Sequence, residues 1–387
     1  MRRAQLPCAP DSHNPRDYPG LTCAAFNDRL NIETQATCLR NLFSESPTMN
    51  IDASSPDSLE RIADLVRQQH PSLETTLLSP VDGFQTRTVA LETLMREVTE
   101  SLADGFKHRP PQDFPMLYFA CGKARVGSTA LSNLFGMTGM PSYYQPLKAM
   151  LRDALVGHRL ALWIVPSTDD EPHIFCKETI GPYVLAESLF NPLKLLIEAG
   201  YPPHRLHLIM LDREPASSLA SWLDKLISRA PADVLLRHYV VAALSAAQVA
   251  SYAQRHDVAV THYVYEVSKE AVSSIRVLFD RIGLSGSFNE NAVTSWREPG
   301  EAQANNARVI FPSEATIYKV PNLHTSDTAY RYQCRATASL SEAQREVLER
   351  CGVNDAYRAS VAACVRDLGL NAALSQRLFG DWFAAAA

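Results

Sequence analysis

Two arginines, each just past a compact apolar segment and each followed by hydroxyl residues, are the side chains of this sequence best placed to do chemistry. The first lies in Gly122-Lys-Ala-Arg-Val-Gly-Ser-Thr129, between Pro115–Cys121 and the apolar stretch Ala130–Met137. A Walker loop needs G-x-x-x-x-G-K-[ST], in which the Lys reaches the β- and γ-phosphates and the hydroxyl holds Mg²⁺. Gly122 and Gly127 have the right spacing, but Ser128 stands where that Lys should be. What remains is a helix start with free backbone N–H groups, the hydroxyls of Ser128 and Thr129, and Arg125. That suits a single 5′-phosphate better than a metal-bound triphosphate. The second arginine follows the apolar run Arg205–Asp212, in Arg213-Glu-Pro-Ala-Ser-Ser-Leu-Ala-Ser221. Pro215 suits a first helical turn, so Arg213 precedes a helix start and Ser217 and Ser221 share one face. Two such sites imply a ligand with two separated phosphates.

The elements that must position these groups follow from the hydrophobic pattern. Strands are expected at 115–121, 173–177, 206–211 and 258–265, alternating with helices, which implies a three-layer α/β/α fold with a central parallel sheet. Ligands in such sheets bind beyond the carboxyl ends of the strands, where both arginines fall. Residues 1–55 read as an irregular or mobile extension and 56–112 as a helical accessory segment. The α/β domain spans 113–345 and further helices run over 346–387. Within the accessory segment, Leu59, Ile62, Leu65 and Val66 mark one helix, and a second spans about Thr86–Phe106. Ser341 is expected to cap a helix that opens after Leu340.

The two arginine motifs, in this order and spacing, resemble the 5′- and 3′-phosphate signatures of the sulfotransferase family. Arg125-Val-Gly-Ser-Thr-Ala-Leu-Ser132 is similar to the family's [RK]-x-G-[ST]-[ST]-x-x-L, with Leu one place early. Arg213 and Ser221 have the spacing of its second motif. Thr261-His-Tyr-Val-Tyr-Glu266 resembles the family's strand ending Tyr-Glu-Asp, with Val267 where Asp is usual. The resemblance covers roughly 113–345. It implies a P-loop-like sulfotransferase fold and a co-substrate, 3′-phosphoadenosine 5′-phosphosulfate (PAPS), used without a metal. By that resemblance Arg125, Val126, Gly127, Ser128, Thr129, Arg213 and Ser221 hold the donor. Ser326 and Arg331, in a Ser/Thr-rich stretch that closes over the donor in bacterial relatives, either join them or belong to a solvated loop.

For catalysis the resemblance points to Arg125 and Lys177, cations near the oxygen on which charge builds. Thr179 stands where cytosolic relatives carry a histidine base, and Glu178 is the nearest replacement. Glu178 is then either the acceptor base or the partner of Lys177 at a strand end. A carboxylate serves as base at neutral pH only if burial raises its pKa. His158, His173 and His207 are weaker base candidates, and His207 reads as a core or sheet-face residue. Lys123 is a ligand contact or a solvated charge. Tyr143 and Tyr144 line an acceptor pocket or pack a helix end. Gln145 replaces a glutamate of bacterial relatives.

Composition bounds the remaining choices. At 387 residues, with 46% hydrophobic and 20% charged content, the chain reads as one soluble catalytic domain with additions. A net charge of −5 gives no support for a nucleic-acid partner. The expected acceptor is a small molecule, a glycan or a peptide. Eight cysteines without a C-x-x-C pair suggest neither zinc nor a disulfide framework. No apolar run reaches membrane-spanning length, and no apolar stretch follows Met1-Arg-Arg. A cytoplasmic location is therefore expected, with export as an effector left open. A P-loop kinase or ATPase and an inactive sulfotransferase-like binding protein are the alternatives.

Overall fold

The structure, a computed structural model, describes residues 56–296, 300–301, 308–313, 316–318, 325–326, 328–333 and 339–384. The first third contains α1 (Pro56–Arg67), β1 (Leu77–Leu78), β2 (Val89–Ala90), α2 (Leu91–Phe106), β3 (Met116–Lys123) and α3 (Ser128–Met137). Then come β4 (Ser142–Tyr144), α4 (Pro146–Leu155), β5 (His173–Ile180), α5 (Leu185–Leu189) and α6 (Pro192–Glu198). The centre continues with β6 (Leu206–Asp212), α7 (Pro215–Leu226), α8 (Ala232–Arg255), β7 (Ala259–Val264) and α9 (Ala271–Arg281). The remainder holds α10 (Glu290–Thr294), β8 (Gly300–Glu301), β9 (Val309–Ile310), β10 (Thr325–Ser326) and α11 (Glu342–Arg350). It closes with α12 (Val353–Leu368), α13 (Ala372–Phe379) and α14 (Asp381–Ala384).

Six strands form one parallel sheet in the order β7-β6-β3-β5-β4-β9, flanked by helices on both faces. The fold is three-layer α/β/α with helical additions. Because successive strand residues point to opposite faces, each strand feeds two cores. On β5, Ile174 and Cys176 join the larger core with Leu94, Val98 and Leu102 of α2 and Leu147 and Leu151 of α4. Phe175 joins the other, stacked 4.1 Å from Phe135 of α3, which itself stacks 5.0 Å from Phe279 of α9. Helix α8 is long and apolar enough to cross a membrane by length and composition, but 67% of its most apolar window is buried inside the domain. Tyr239, Val240 and Val249 are fully buried there, so packing accounts for its apolarity.

The four expected strands are present, each within two or three residues of its expected ends. The helix expected from Thr86 begins only at Leu91, because Val89 and Ala90 pair antiparallel with Leu78 and Leu77 instead. Strands β4 and β9 are additions to the expected set, three and two residues long and too short to show an alternating pattern. Ser341 does cap α11, through a reciprocal box with Gln344. The extension 1–55 and the Ser326 side chain lie outside the described residues.

Candidate functional site

The carboxyl ends of β3, β5 and β6 meet at one edge, and the loop from β3 into α3 lies across it. No side chain caps α3, so its first-turn amides remain available to a ligand. Gly127 adopts φ +81°, and a Cβ there would sit 2.5 Å from the Tyr265 ring. Both the backbone twist and the close ring therefore require glycine at this turn. Gly122 has a different task. A Cβ on it would collide with the Leu211 carbonyl, so it lets β3 and β6 approach rather than contacting a phosphate. Arg125 is also left-handed, at φ +73°, a strained conformation for a residue with a side chain. Val126 points into the core beside Leu131 and Phe135, leaving only its backbone to a ligand.

Arg125 and Arg213 converge. Arg125 Nε donates to Ser221 Oγ at 3.0 Å, and Arg213 donates to the Arg125 carbonyl at 3.2 Å. Arg213 is buried, packs 4.9 Å from the Tyr265 ring centre and also donates to the Gln333 carbonyl at 3.4 Å. Among the described residues its Nε has no partner. Among the described residues neither guanidinium is ion-paired to a carboxylate. Burial first, and then the neighbouring Arg213 charge, push the Arg125 pKa below its ordinary value. Two adjacent cations with no ion pair among the described residues, influenced by Asp224 and Glu266 only at longer range, and one of them with a buried donor left over, make an arrangement that an anion would relieve.

The structure brings the two motifs side by side: Arg125 of the first bonds Ser221 of the second, so the two expected anion positions adjoin. The start of α7 is not free. Glu214 caps it, accepting from the amides of Ala216 at 3.1 Å and Ser217 at 2.6 Å. A carboxylate already occupies that helix dipole, so the positive charge of this end comes from Arg213 itself. Ser217 contributes its amide to that cap, while Ser221, one helical turn on, faces the arginines.

Lys177 and Glu178 were expected at one rim, and the structure separates them. Lys177 shares a sheet face with Phe175 and sits 3.7 Å from the centre of the Tyr144 ring, its cross-strand partner. Glu178 falls on the opposite face with Cys176, fully buried, where Oε1 accepts from the Leu147 amide at 2.7 Å and Oε2 has no partner among the described residues. Adjacent strand residues cannot point the same way, so Glu178 is not beside Lys177 as an acceptor base. Burial raises its pKa to about 7, against the opposing pull of Lys148. A carboxyl held above its ordinary 4.5 binds its proton more tightly when folded. Its stabilising contribution is therefore full below pH 4.5 and is lost as pH rises through about 7. Glu178→Gln should remove this slope from the melting temperature between pH 5 and 7. Parallel wild-type and variant curves across that range would show that Glu178 does not titrate there.

The remaining candidates divide between this edge and places away from it. Lys123 is neither solvated nor free for a ligand. It is buried, ion-paired with Asp212, and donates to the Arg213 carbonyl at 3.2 Å. Burial works against its charge, but Asp212, Tyr239 and Glu266 together outweigh this and raise its pKa. Thr129 Oγ1 and the Tyr144 hydroxyl lie 2.7 Å apart, while Tyr143 packs edge-on to Trp163 at 5.5 Å. Gln145 turns left-handed at φ +55° and donates to Thr179 Oγ1 at 2.5 Å, so it serves the strand ends rather than an acceptor. Ser128 is buried at the start of α3. The Arg331 carbonyl accepts from the Tyr265 hydroxyl at 3.4 Å, which brings that backbone to the wall of the cluster, and Ser326 contributes the backbone of β10. His207 is a sheet-face histidine bonded to Thr261 at 2.9 Å, its pKa lowered by burial to about 4. His173 opens β5 at the far end from the cluster, and His158 is exposed beyond α4.

Sequence reasoning missed Tyr265, which walls the cluster between Gly127 and Arg213, and the neutralisation of Asp212 by Lys123. The Tyr265-Glu266 pair at the end of the fourth expected strand was a signal for the first. Nothing local in the sequence announces the second, which joins residues 89 positions apart. The chain matches no family model, no curated protein and no solved structure.

Proposed function

We propose that this chain is a sulfotransferase that moves a sulfuryl group from PAPS to a hydroxyl or amine of a small-molecule, glycan or peptide acceptor. The observation that carries the reading is the convergence of Arg125 and Arg213 without a described counter-ion, beside an uncapped helix start. The Nε of buried Arg213, without a partner among the described residues, is the feature a phosphate would fit. In this reading Ser128, Thr129 and the first-turn amides of α3 bind the 5′-phosphate. Arg213 and Ser221 bind the 3′-phosphate. Arg125 and Lys177 stabilise charge as it grows on the oxygen between phosphorus and sulfur. PAPS itself supplies the electrophilic sulfur and a stable leaving group, so the transfer asks mainly for positioning and needs no metal. A cytoplasmic location belongs to the same reading.

A P-loop kinase or ATPase is disfavoured by Ser128 at the Lys position and by Lys123 being held on Asp212. One observation favours a second reading, a nucleotide-binding protein without transfer: Glu178 faces away from the cluster and is not available as base. Thermal denaturation with adenosine 3′,5′-bisphosphate tests the donor site. At a hundred times its dissociation constant the ligand should add about 2.7 kcal/mol of stability. A shift with ATP and Mg²⁺ but none with the bisphosphate would overturn the proposal. A shift with the bisphosphate but no consumption of PAPS with any acceptor class would favour the second reading.

A further inference from the structure

We propose that Tyr144 is a positioning residue of this site, holding the Lys177 ammonium and the Thr129 hydroxyl so that both address the same donor oxygen. This rests on the sulfotransferase reading and extends it to a residue whose motif position implies no such role. Tyr144 ends β4 and pairs directly across the sheet with Lys177 of β5, whose Nζ lies 3.7 Å from the ring centre. Its hydroxyl lies 2.7 Å from Thr129 Oγ1 in the first turn of α3. Phe311 stacks on the same ring at 4.3 Å, so the ring is gripped on its apolar side as well. Its position along the strand is fixed by its successor. The Gln145 amide donates to the Lys177 carbonyl at 2.8 Å, and the Gln145 side chain binds Thr179.

The physical consequence is specific. A lysine is a flexible four-carbon stem, and without a guide its charge samples many positions. A ring beneath the ammonium attracts it through the aromatic quadrupole and narrows that range. The hydroxyl of the same ring fixes the rotamer of Thr129. One rigid side chain therefore sets the spacing between a cation on β5 and a donor group on α3. The two elements also pack directly through Phe135 and Phe175, but Tyr144 is the side chain that touches both polar groups.

A double-mutant cycle on the full chain tests this, with the affinity for adenosine 3′,5′-bisphosphate read by calorimetry. Tyr144→Leu is expected to weaken binding about tenfold. Tyr144→Phe, which keeps the ring but not the hydroxyl, is expected to lose about threefold. Lys177→Met alone should weaken binding, and adding Tyr144→Leu to it should cost only what the lost hydroxyl costs, because the ring acts through the lysine. Fully additive losses, or wild-type affinity in Tyr144→Leu, would overturn the inference while leaving the donor site intact. A wild-type chain that does not bind the bisphosphate would withdraw the sulfotransferase reading and this inference with it. Should Tyr144→Leu not fold, the lysine ε-methylene resonances of the wild type give the answer. One ring-shifted signal that disappears in Lys177→Met is expected, and its absence refutes the contact.

Discussion

Replacing Arg213 with alanine should reduce the affinity for adenosine 3′,5′-bisphosphate by about ten- to a hundredfold, equivalent to about 1.5–3 kcal/mol. The size follows from its setting. The guanidinium is buried, its Nε has no partner among the described residues, and Glu266 acts on it only through space, without an ion pair. A phosphate would thus gain a charge-assisted donor already desolvated and already aimed. Arg213→Lys should recover little, since an ammonium cannot present two parallel donors while also reaching the Arg125 and Gln333 carbonyls. The loss should spare adenosine 5′-phosphosulfate, which has no 3′-phosphate. Titration calorimetry with both ligands decides it: equal losses for the two would place Arg213 somewhere other than the 3′ end.

Arg125 should show the opposite division between binding and turnover. Removing its side chain is expected to lower turnover by on the order of 10²–10³ while bisphosphate affinity changes only a few-fold, since the helix amides and hydroxyls still hold the ground state. Arg125→Gly is the informative variant. At φ +73° glycine is at ease where arginine is strained, so the substitution removes the cation without disturbing the turn. A lost rate then cannot be put down to a broken loop. PAPS consumption at saturating donor, measured with whichever acceptor the wild type accepts, provides the check. Wild-type turnover would take Arg125 out of the mechanism.

The parts of this molecule that were legible in its sequence are those with a local cause. The apolar runs ending at Cys121, Lys177, Leu211 and Tyr265 could be read as strands because each is a compact apolar segment of five to eight residues alternating with helical stretches. Arg125 and Arg213 could be placed at strand ends because a glycine or proline follows each within two residues. The three-residue strand β4 could not be read, and with it went the true place of Tyr144, which depends on a neighbour 33 positions away. The pairing of Lys177 with Glu178 failed for a simpler reason. Adjacency along a strand means opposite faces, and only the packing reveals which face carries the site. The cap at Glu214 was hidden by proximity, because the residue beside Arg213 reads equally as a neighbour of the anion site or as the anion already there.

Lys123 and Asp212 are the final residues of adjoining strands, and their pairing changes how a charged molecule would meet this surface. Without the lysine, an aspartate would stand next to Arg213 and cancel much of its field. With it, Asp212 no longer offsets the two arginines, on a chain whose overall charge is −5. Their field is felt only over short range, since added salt damps potentials within about 10 Å at 0.1 M. An anionic nucleotide would thus experience a mildly unfavourable approach at a distance and attraction only over the last few ångströms. Selection then happens on arrival rather than on the way in.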